Sequence, residues 1–477
     1  MRQKLSFDGL FSRGDEGLPF RYVPFEMPSG AQRLEVSYHF EAPTAPAQPG
    51  RESQQDIVDI GVFDARGAAF LEGGFRGWSG SSRSQFFISP SEATPGYVRG
   101  PLPTGEWNLL LGCPLLRREQ MRYSVRINID VDLDADDPAT PETMPAPRTA
   151  TRRSGPGRWY RGDFHSHTVH SDGYNTIDEY VVEAKRVGLD FLAITDHNTI
   201  SHFEEIAQRP ERDGLLLLPG EEVTTFWGHA NVWGLDGWVD FRFRDDASAQ
   251  QVLEWVHERG GLFSPNHPKP SAGYPWTFDQ TKGFRVVEAW QGAWRWHNEE
   301  SLEFWEERLR NGEQVVAVGG SDCHSIPPAV TQQPWTVGNP CTWTYVQGAL
   351  DEAGVLDAVR KGHVFVSEDT TGPYLELTAS CGGETYQMGD TIEAPEGTPV
   401  RYSVRYRGPS EKKLRFVRDS ELWQEFVADK EDTTVEFEAP LDAPGYVRVE
   451  AAGFRGRPER GEVIHALTNP LYVRVVR

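Results

Sequence analysis

DFHSHTVHSDG, residues 163–173, is the stretch on which the reading of this chain turns. His165 and His167 stand two apart at the end of a short apolar strand pattern, so both side chains point to the same side. Asp172 and Gly173 follow five residues later. Further motifs come in order: ITDHNT (Asp196, His197), PGEEV (Glu221, Glu222), GHANVWG (His229), NHP (His267) and GSDCH (Asp322, His324). Six of the chain's 13 histidines are thus candidate ligands in short motifs, each with an acid or a glycine close by. Imidazole nitrogens and carboxylate oxygens without thiolate make the ligand set of zinc, manganese or iron sites rather than of a structural zinc site. A buried polar cluster with no cation would leave charges unpaired, at a cost of several kcal/mol per ion.

Working outward, each motif falls at the edge of a predicted element. The first is followed by a helix, IDEYVVEAKRVG, with a capping signature Thr176-x-x-Glu179 and a stop at Gly188. FLAITDH reads as a buried strand, SHFEEIAQR as a helix, and LLLLPGEEV and HANVWGL as strands. AQQVLEWVHERGG is an amphipathic helix closed by Gly260-Gly261; LFSPNHP, RVVEAW, EESLEFWEERLRNG and QVVAVGGSDCH continue the alternation. DEAGVLDAVRKG and HVFVSE end it. Such alternation predicts a parallel sheet or a β/α barrel with ligands gathered at the C-terminal strand ends.

Both flanks read differently. Residues 1–131 contain short runs such as RLEVSYHF, DIVDIGVFD, EWNLLLG and YSVRINIDV, punctuated by Gly, Pro and Ser, which predict a β-sandwich. Residues 132–157 have the Pro-, Ala- and Thr-rich composition of a linker. Residues 372–477 return to alternating strands and predict an Ig-like β-sandwich. The expected fold class is multidomain, α/β plus all-β, with the metal-binding unit at 158–371.

In order, HxH, SDG, TDHN, GxE, GH, HP and SDxH resemble the PHP (polymerase and histidinol phosphatase) family of metal-dependent hydrolases, and within it the CehA/McbA-like branch named for carbaryl hydrolases. The resemblance covers roughly Arg158–Ser367. It implies a distorted (β/α)7 barrel with two or three divalent transition-metal ions (Zn, Mn or Fe) and no organic cofactor. Carried over position by position, it implies that His165, His167 and Asp322 hold a first ion. Glu222 bridges to a second held by His229 and His267, and Asp172, His197 and His324 hold a third. In the family the bridging Glu is two residues after the Gly; this selects Glu222 and leaves Glu221 behind the ligands or on the surface.

A polynuclear site of this kind generates hydroxide near neutral pH and neutralises charge in a transition state, which is hydrolytic chemistry. Phosphoester cleavage profits most, since several ions can hold the phosphoryl oxygens. The expected function is therefore a phosphoesterase using a metal-bound hydroxide, acting on a small or medium phosphorylated ester, with Asp172, His197 and Glu222 as the catalytic set. A carboxylester or carbamate hydrolase with the same metals is the first alternative; a non-catalytic glycan- or protein-binding module is the second.

A formal charge of −23 opposes non-specific binding to nucleic acid or an anionic membrane. With no apolar run of membrane-spanning length and four scattered cysteines, a cytoplasmic protein is expected. Cys323 is expected to be a small buried apolar residue and His202 an exposed or capping one. His170 is expected either behind the ligands or facing solvent. The tryptophans Trp227, Trp276, Trp290, Trp294 and Trp296 are expected to pack the barrel against a β-domain, with Trp290, directly after a strand, the best candidate if one forms a substrate wall. Lys269 and Arg295 are expected to be surface charges.

Overall fold

The structure, a computed structural model, describes residues 1–12, 20–41, 57–116, 119–135, 155–209, 214–273, 275–326, 335–454 and 461–476. Most of the expected linker, 136–154, lies outside them. Strands account for 48% of the chain, so the molecule is mostly β and its five helices among the described residues all fall between 177 and 361.

In the N-terminal region two four-stranded antiparallel sheets share one apolar core. One runs Arg2–Ser12, Gln120–Val131, Ala31–Phe40, Gln85–Ile88; the other runs Phe20–Met27, Gly105–Leu115, Ile57–Phe63, Phe75–Gly80. Buried and exposed residues alternate along Gln120–Val131, as a strand with one solvated face requires. Leu34, Ile60, Trp107 and Ile127 fill the space between the sheets. Phe63, Phe75, Trp78 and Leu110 instead join a core with Val223, Val232, Phe241 and Phe263, which seats this region against the middle of the chain. Asp240 reinforces the seat: it accepts from Leu71 N at 2.8 Å and pairs with Arg242, whose guanidinium reaches the Ala68 carbonyl.

The central sheet is mixed. Gly157–Asp163, Phe191–Ile194 and Leu216–Thr224 are parallel neighbours. Leu216–Thr224, His229–Trp233 and Leu262–Pro265 then pair antiparallel. The purely parallel alternation expected from sequence stops where only residues 225–228 separate two strands, because so short a connection closes a hairpin and no crossover. Val286–Gln291 and Val316–Gly320 form a separate parallel pair. Helix Ile177–Val187 has the expected capping box at Thr176 and Glu179 and ends on Gly188 at φ +86°. Helix Asp246–Glu258 starts three residues earlier than the apolar pattern suggests, because Asp245 and Ser248 make their own capping box.

The same sheet continues past the expected boundary at 371/372. Val364–Ser367 pairs with Glu462–Thr468, which pairs with Gly445–Phe454. A four-stranded sheet, Glu384–Gln387, Tyr374–Cys381, Pro399–Arg407, Asp432–Pro440, packs over it with Phe365, Leu375, Val404, Phe416 and Val449 in one core. No helix among the described residues is long and apolar enough to cross a membrane.

Candidate metal centre

Strand ends deliver the motif side chains. His165 and His167 follow Gly157–Asp163, His197 follows Phe191–Ile194, His267 follows Leu262–Pro265, and Asp322 follows Val316–Gly320. Glu222 lies within Leu216–Thr224, and His229 opens the next strand. Three buried acids tie the loops down. Asp163 accepts from Ser321 N (2.8 Å) and Gly338 N (2.9 Å). Asp196 accepts from Thr168 N (2.8 Å) and Ser171 Oγ (2.6 Å). Glu288 accepts from His165 Nδ1 (2.8 Å) and His267 N (3.0 Å). Gly320 permits the approach of these loops, since a Cβ there would lie 2.3 Å from His165 Cβ. His267 and Asp322 hold left-handed backbone, φ +30° and +53°, a conformation that costs free energy and clusters at functional sites.

All nine side chains named from the sequence come together. Four groups have ligand atoms within 4.8 Å of one another: His165, His167, Glu222 and Asp322; Glu222, His229 and His267; His167, Asp172, His197 and His324; and His165, His267 and Glu288. Glu222 is central. Its Oε1 lies 3.4 Å from His165 Nε2, 3.4 Å from His229 Nδ1 and 3.2 Å from His267 Nε2. Its Oε2 lies 2.7 Å from His197 Nδ1 and 3.4 Å from His167 Nε2. Asp322 Oδ1 sits 2.9 Å from His167 Nε2, and Asp172 Oδ1 sits 3.3 Å from His324 Nε2.

The donor set fits divalent cations. Glu222 Oε2 and Asp322 Oδ1 are buried and make no hydrogen bond, although imidazole nitrogens crowd them. His165 Nδ1 faces the Glu288 carboxylate, an arrangement that keeps the proton on Nδ1 and directs the Nε2 lone pair inward, toward His167 Nε2 at 3.0 Å. Lone pairs converging in this way call for a cation between them.

Electrostatics agree. Burial opposes the Glu222 carboxylate, yet His165, His197 and His229 hold it well below the ordinary value. Asp322 is likewise held low by His165 and His324 against burial. Burial, with His197 and His324 beside it, brings His167 down to about 4. For His324 burial is outweighed by Asp172 and Asp322, which raise it to about 10. The shifts favour ionised Glu222 and Asp322 and an unprotonated His167, the states in which these groups ligate a cation.

Several expectations are corrected. His202 does stand at the N-cap of the short helix Phe203–Ala207, but its side chain makes no capping hydrogen bond and is fully buried instead of exposed, with Nε2 2.9 Å from the Gly220 carbonyl. Glu221 is buried rather than at the surface; strand alternation turns it away from Glu222, and its Oε2 accepts from Val239 N at 2.9 Å. Trp290 lies within the strand Val286–Gln291 and not after it, and it is fully buried in a core with Trp294 and Trp305, away from the residues that line the cavity over the cluster. Lys269 is buried too; its Nζ donates to Gln291 Oε1 at 2.6 Å, and Gln291 Nε2 donates to Asp322 Oδ2 at 2.8 Å. Arg295 is exposed as expected, and Cys323 is buried as expected. His170 is buried behind the motif, 2.8 Å from Ser201 Oγ and 3.1 Å from Glu205 Oε2. Glu288 went unnoticed in the sequence; its signal is a lone acid within the apolar run RVVEAW.

A cavity of about 930 Å³ opens over the cluster. His197, Glu222, His229, His267, Asp322 and His324 line it, together with Phe226, Trp227 and Trp335. Phe20, Asp59, Trp78 and residues 79–83 reach the same cavity from the N-terminal region.

Residues 163–263 match the PHP domain. The PHP-matching segment carries six of the nine clustered side chains, from His165 to His229; His267, Asp322 and His324 lie beyond it. Over 140 residues the chain is 31% identical to the 5'-3' exoribonuclease Rnm of Salmonella typhimurium, a match covering 28% of this chain and 43% of that protein. Over 72 residues it is 40% identical to the Escherichia coli K12 protein of the same name, covering 15% and 25%. The chain therefore spans less than half the length of these curated relatives. Their name leaves the expectation of no nucleic-acid partner without support. Among solved structures, a two-domain protein from Bacteroides vulgatus containing a predicted PHP-like metal-dependent phosphoesterase aligns with TM-score 0.36 and 16% identity, over 68% of this chain and 99% of that one. An amidohydrolase from Chromobacterium violaceum aligns with TM-score 0.27 and 16% identity, over 36% and 90%.

Proposed function

We propose that this protein is a metal-dependent hydrolase, and specifically a phosphoesterase, whose catalytic unit is residues 158–371. The observation that carries the reading is Glu222: one buried carboxylate faced by five imidazoles, with an oxygen that makes no hydrogen bond. In this reading His165, His167 and Asp322 would hold one ion, Glu222 with His229 and His267 would hold a second, and Asp172, His197 and His324 would hold a third. Bound divalent ions supply Lewis acidity and lower the pKa of water toward neutrality. The chain's own residues do the rest. Glu288 fixes the His165 ring, Gln291 orients Asp322, and Asp196 holds the 168–171 turn in place. His197 and Asp172, at the solvent side, are positioned to move protons to and from substrate.

The PHP match and the motif order support this family of chemistry, with the CehA/McbA-like branch as its finer form. The relatives' name supports a nucleic-acid ester among the substrates. A net charge of −23 disfavours wrapping a long polyanion, so a short chain or an end is the better fit. A carboxylester or carbamate substrate has one observation in its favour, the aromatic wall of the cavity. Four cysteines with no disulfide support a reducing compartment. The deciding experiment is a parallel assay of metal-loaded protein on p-nitrophenyl phosphate, bis-p-nitrophenyl phosphate and p-nitrophenyl acetate, with elemental analysis of the same sample. Turnover of phosphate esters at least ~10-fold above the acetate is expected for the larger charge that the ions neutralise. The opposite ratio would turn the reading to carboxylesters, and protein that takes up less than one ion would end it.

A further inference from the structure

The N-terminal region does more than pack beside the cluster. Phe20 stacks on Phe226 with ring centroids 5.9 Å apart and planes at 26°, and Trp78 lies 4.7 Å from Phe241. Gly96 N donates to Ser201 Oγ at 3.0 Å, and Thr199 Oγ1 donates to the Gly96 carbonyl at 2.8 Å. These contacts seat the N-terminal region on residues 199–201, Phe226 and Phe241, and at the 168–171 turn Arg83 donates through Nη2 to the Val169 carbonyl.

Arg83 is the sole lysine or arginine among the described residues lining the cavity. Its Nε is buried and makes no hydrogen bond. A guanidinium has five N–H donors in a planar fork that matches phosphate oxygens, and a buried donor left unmade is costly. Burial pushes the carboxyl of Asp59, which lines the same cavity, up to about 7, so near neutral pH it carries only part of a negative charge. On the same cavity Phe226, a large apolar ring, keeps 38% of its surface exposed. Charge and flat apolar surface therefore stand together on a wall that the metal-holding segment alone does not build.

We propose that the N-terminal β-region is part of the substrate site, with Arg83 pairing with an anionic group and the Phe226–Phe20 stack receiving a planar ring. Together they select a nucleotide-like ester, a phosphate next to a flat base. The choice of phosphate rests on the phosphoesterase reading; the binding surface itself does not.

Binding can be separated from turnover. Adenosine 5'-monophosphate and adenosine are titrated into metal-loaded full-length protein, following tryptophan fluorescence, for the wild type, Arg83→Gln, Arg83→Lys and Phe226→Ala. Arg83→Gln is expected to weaken the monophosphate about 10-fold and leave adenosine unchanged, while Arg83→Lys, which keeps the charge, recovers much of the loss. Phe226→Ala is expected to weaken both ligands about equally, roughly 5-fold or more, as loss of stacking does. Unchanged monophosphate affinity in Arg83→Gln, or equal losses for both ligands in that variant, would overturn the anion role, the second result marking Arg83 as a mere brace for the 168–171 turn. Equal affinities in Phe226→Ala and wild type would overturn the stacking role. If phosphate esters are not hydrolysed yet the Arg83→Gln signature is present, the phosphoesterase reading fails and the binding surface stands.

Discussion

The two ends of the candidate metal cluster live in different surroundings. At the deep end the side chains of His165, His167 and Glu222 are fully buried and Asp322 is 14% exposed. At the rim Asp172 is 49% exposed, His197 20% and His324 21%. Water can satisfy the rim groups when no ion is bound. At the deep end only protons, neighbouring side chains or cations can do so, because burying an unpaired charge costs several kcal/mol. Ions at the deep end should therefore be tightly held and coupled to folding, and an ion at the rim should exchange and serve the substrate.

The hardest blow to the deep end is Glu222→Gln. It keeps the shape but removes a charge faced by five imidazoles, so hydrolysis should fall at least ~10²-fold, as when other preorganised electrostatic groups are lost. Metal content should fall with it, and so should thermal stability, since bound ions stabilise only the folded state. Glu221→Gln is the control. Burial raises Glu221 well above the ordinary carboxylate range, so the neutral amide resembles what is already there. If the two variants exchange their effects in kcat/KM and in elemental analysis, the register of the PGEEV motif is wrong.

Next in size is Glu288→Gln. The carboxylate fixes the His165 proton on Nδ1, and loss of such a partner typically lowers metal affinity or activity ~10–100-fold. A drop in ion affinity with an unchanged melting curve of the metal-free protein separates positioning from general damage. A variant that keeps wild-type affinity would show that His165 needs no orienting partner.

Asp172→Asn tests the rim. Solvent screens this carboxylate, so activity should fall only about 10-fold, a loss near 1.4 kcal/mol. The ions of the deep end should remain, leaving the elemental count lower by one or less. Loss of every ion would erase the distinction between deep end and rim.

How much of this could be read beforehand follows from how local each signal is. HxH, SDG, TDH, GEE, GH, HP and SDCH each place a ligand-type side chain at or near a strand end within a few residues, and the nine residues that these motifs supply do converge. Helix limits at Thr176 and Gly188 were legible for the same reason. Glu288 was not, because its partner His165 is 123 residues away and nothing near it in sequence is polar enough to announce a site. Strand Arg2–Ser12 was passed over because its pattern is mostly polar; its partner Gln120–Val131, over a hundred residues on, supplies the pairing. The N-terminal cavity wall was illegible for a related reason, since Trp78 and Arg83 precede the first motif by some 80 residues and only the docking of two cores brings them over it. The continuous sheet across 371/372 was hidden because strand patterns reveal faces and not partners.

The smallest expected effect lies on that N-terminal wall, opposite the cluster, and it concerns stability with its sign fixed by one carboxyl. Asp59 is nearly buried, its only resolved perturbation among the described residues is burial, and burial lifts its pKa from 3.8 to about 7. A group whose folded pKa lies above its unfolded value contributes most below the unfolded value and loses that contribution as pH rises through the folded one. For Asp59 the window runs from near pH 4 to near pH 7: the folded protein keeps the proton that the unfolded chain has already lost. Above it the folded state must bury a charge. Asp59→Asn removes that charge, so its melting temperature should exceed the wild type's by about 5 °C at pH 8.5 and by much less at pH 5, given ~2–4 °C per kcal/mol for a domain of ordinary size. The deep histidines and acids of the metal site titrate identically in both proteins, so the difference between the two melting curves isolates Asp59. A gain that does not change between pH 5 and pH 8.5 would mean that Asp59 is already charged in the folded protein, and that the wall facing Arg83 is more negative than its burial implies.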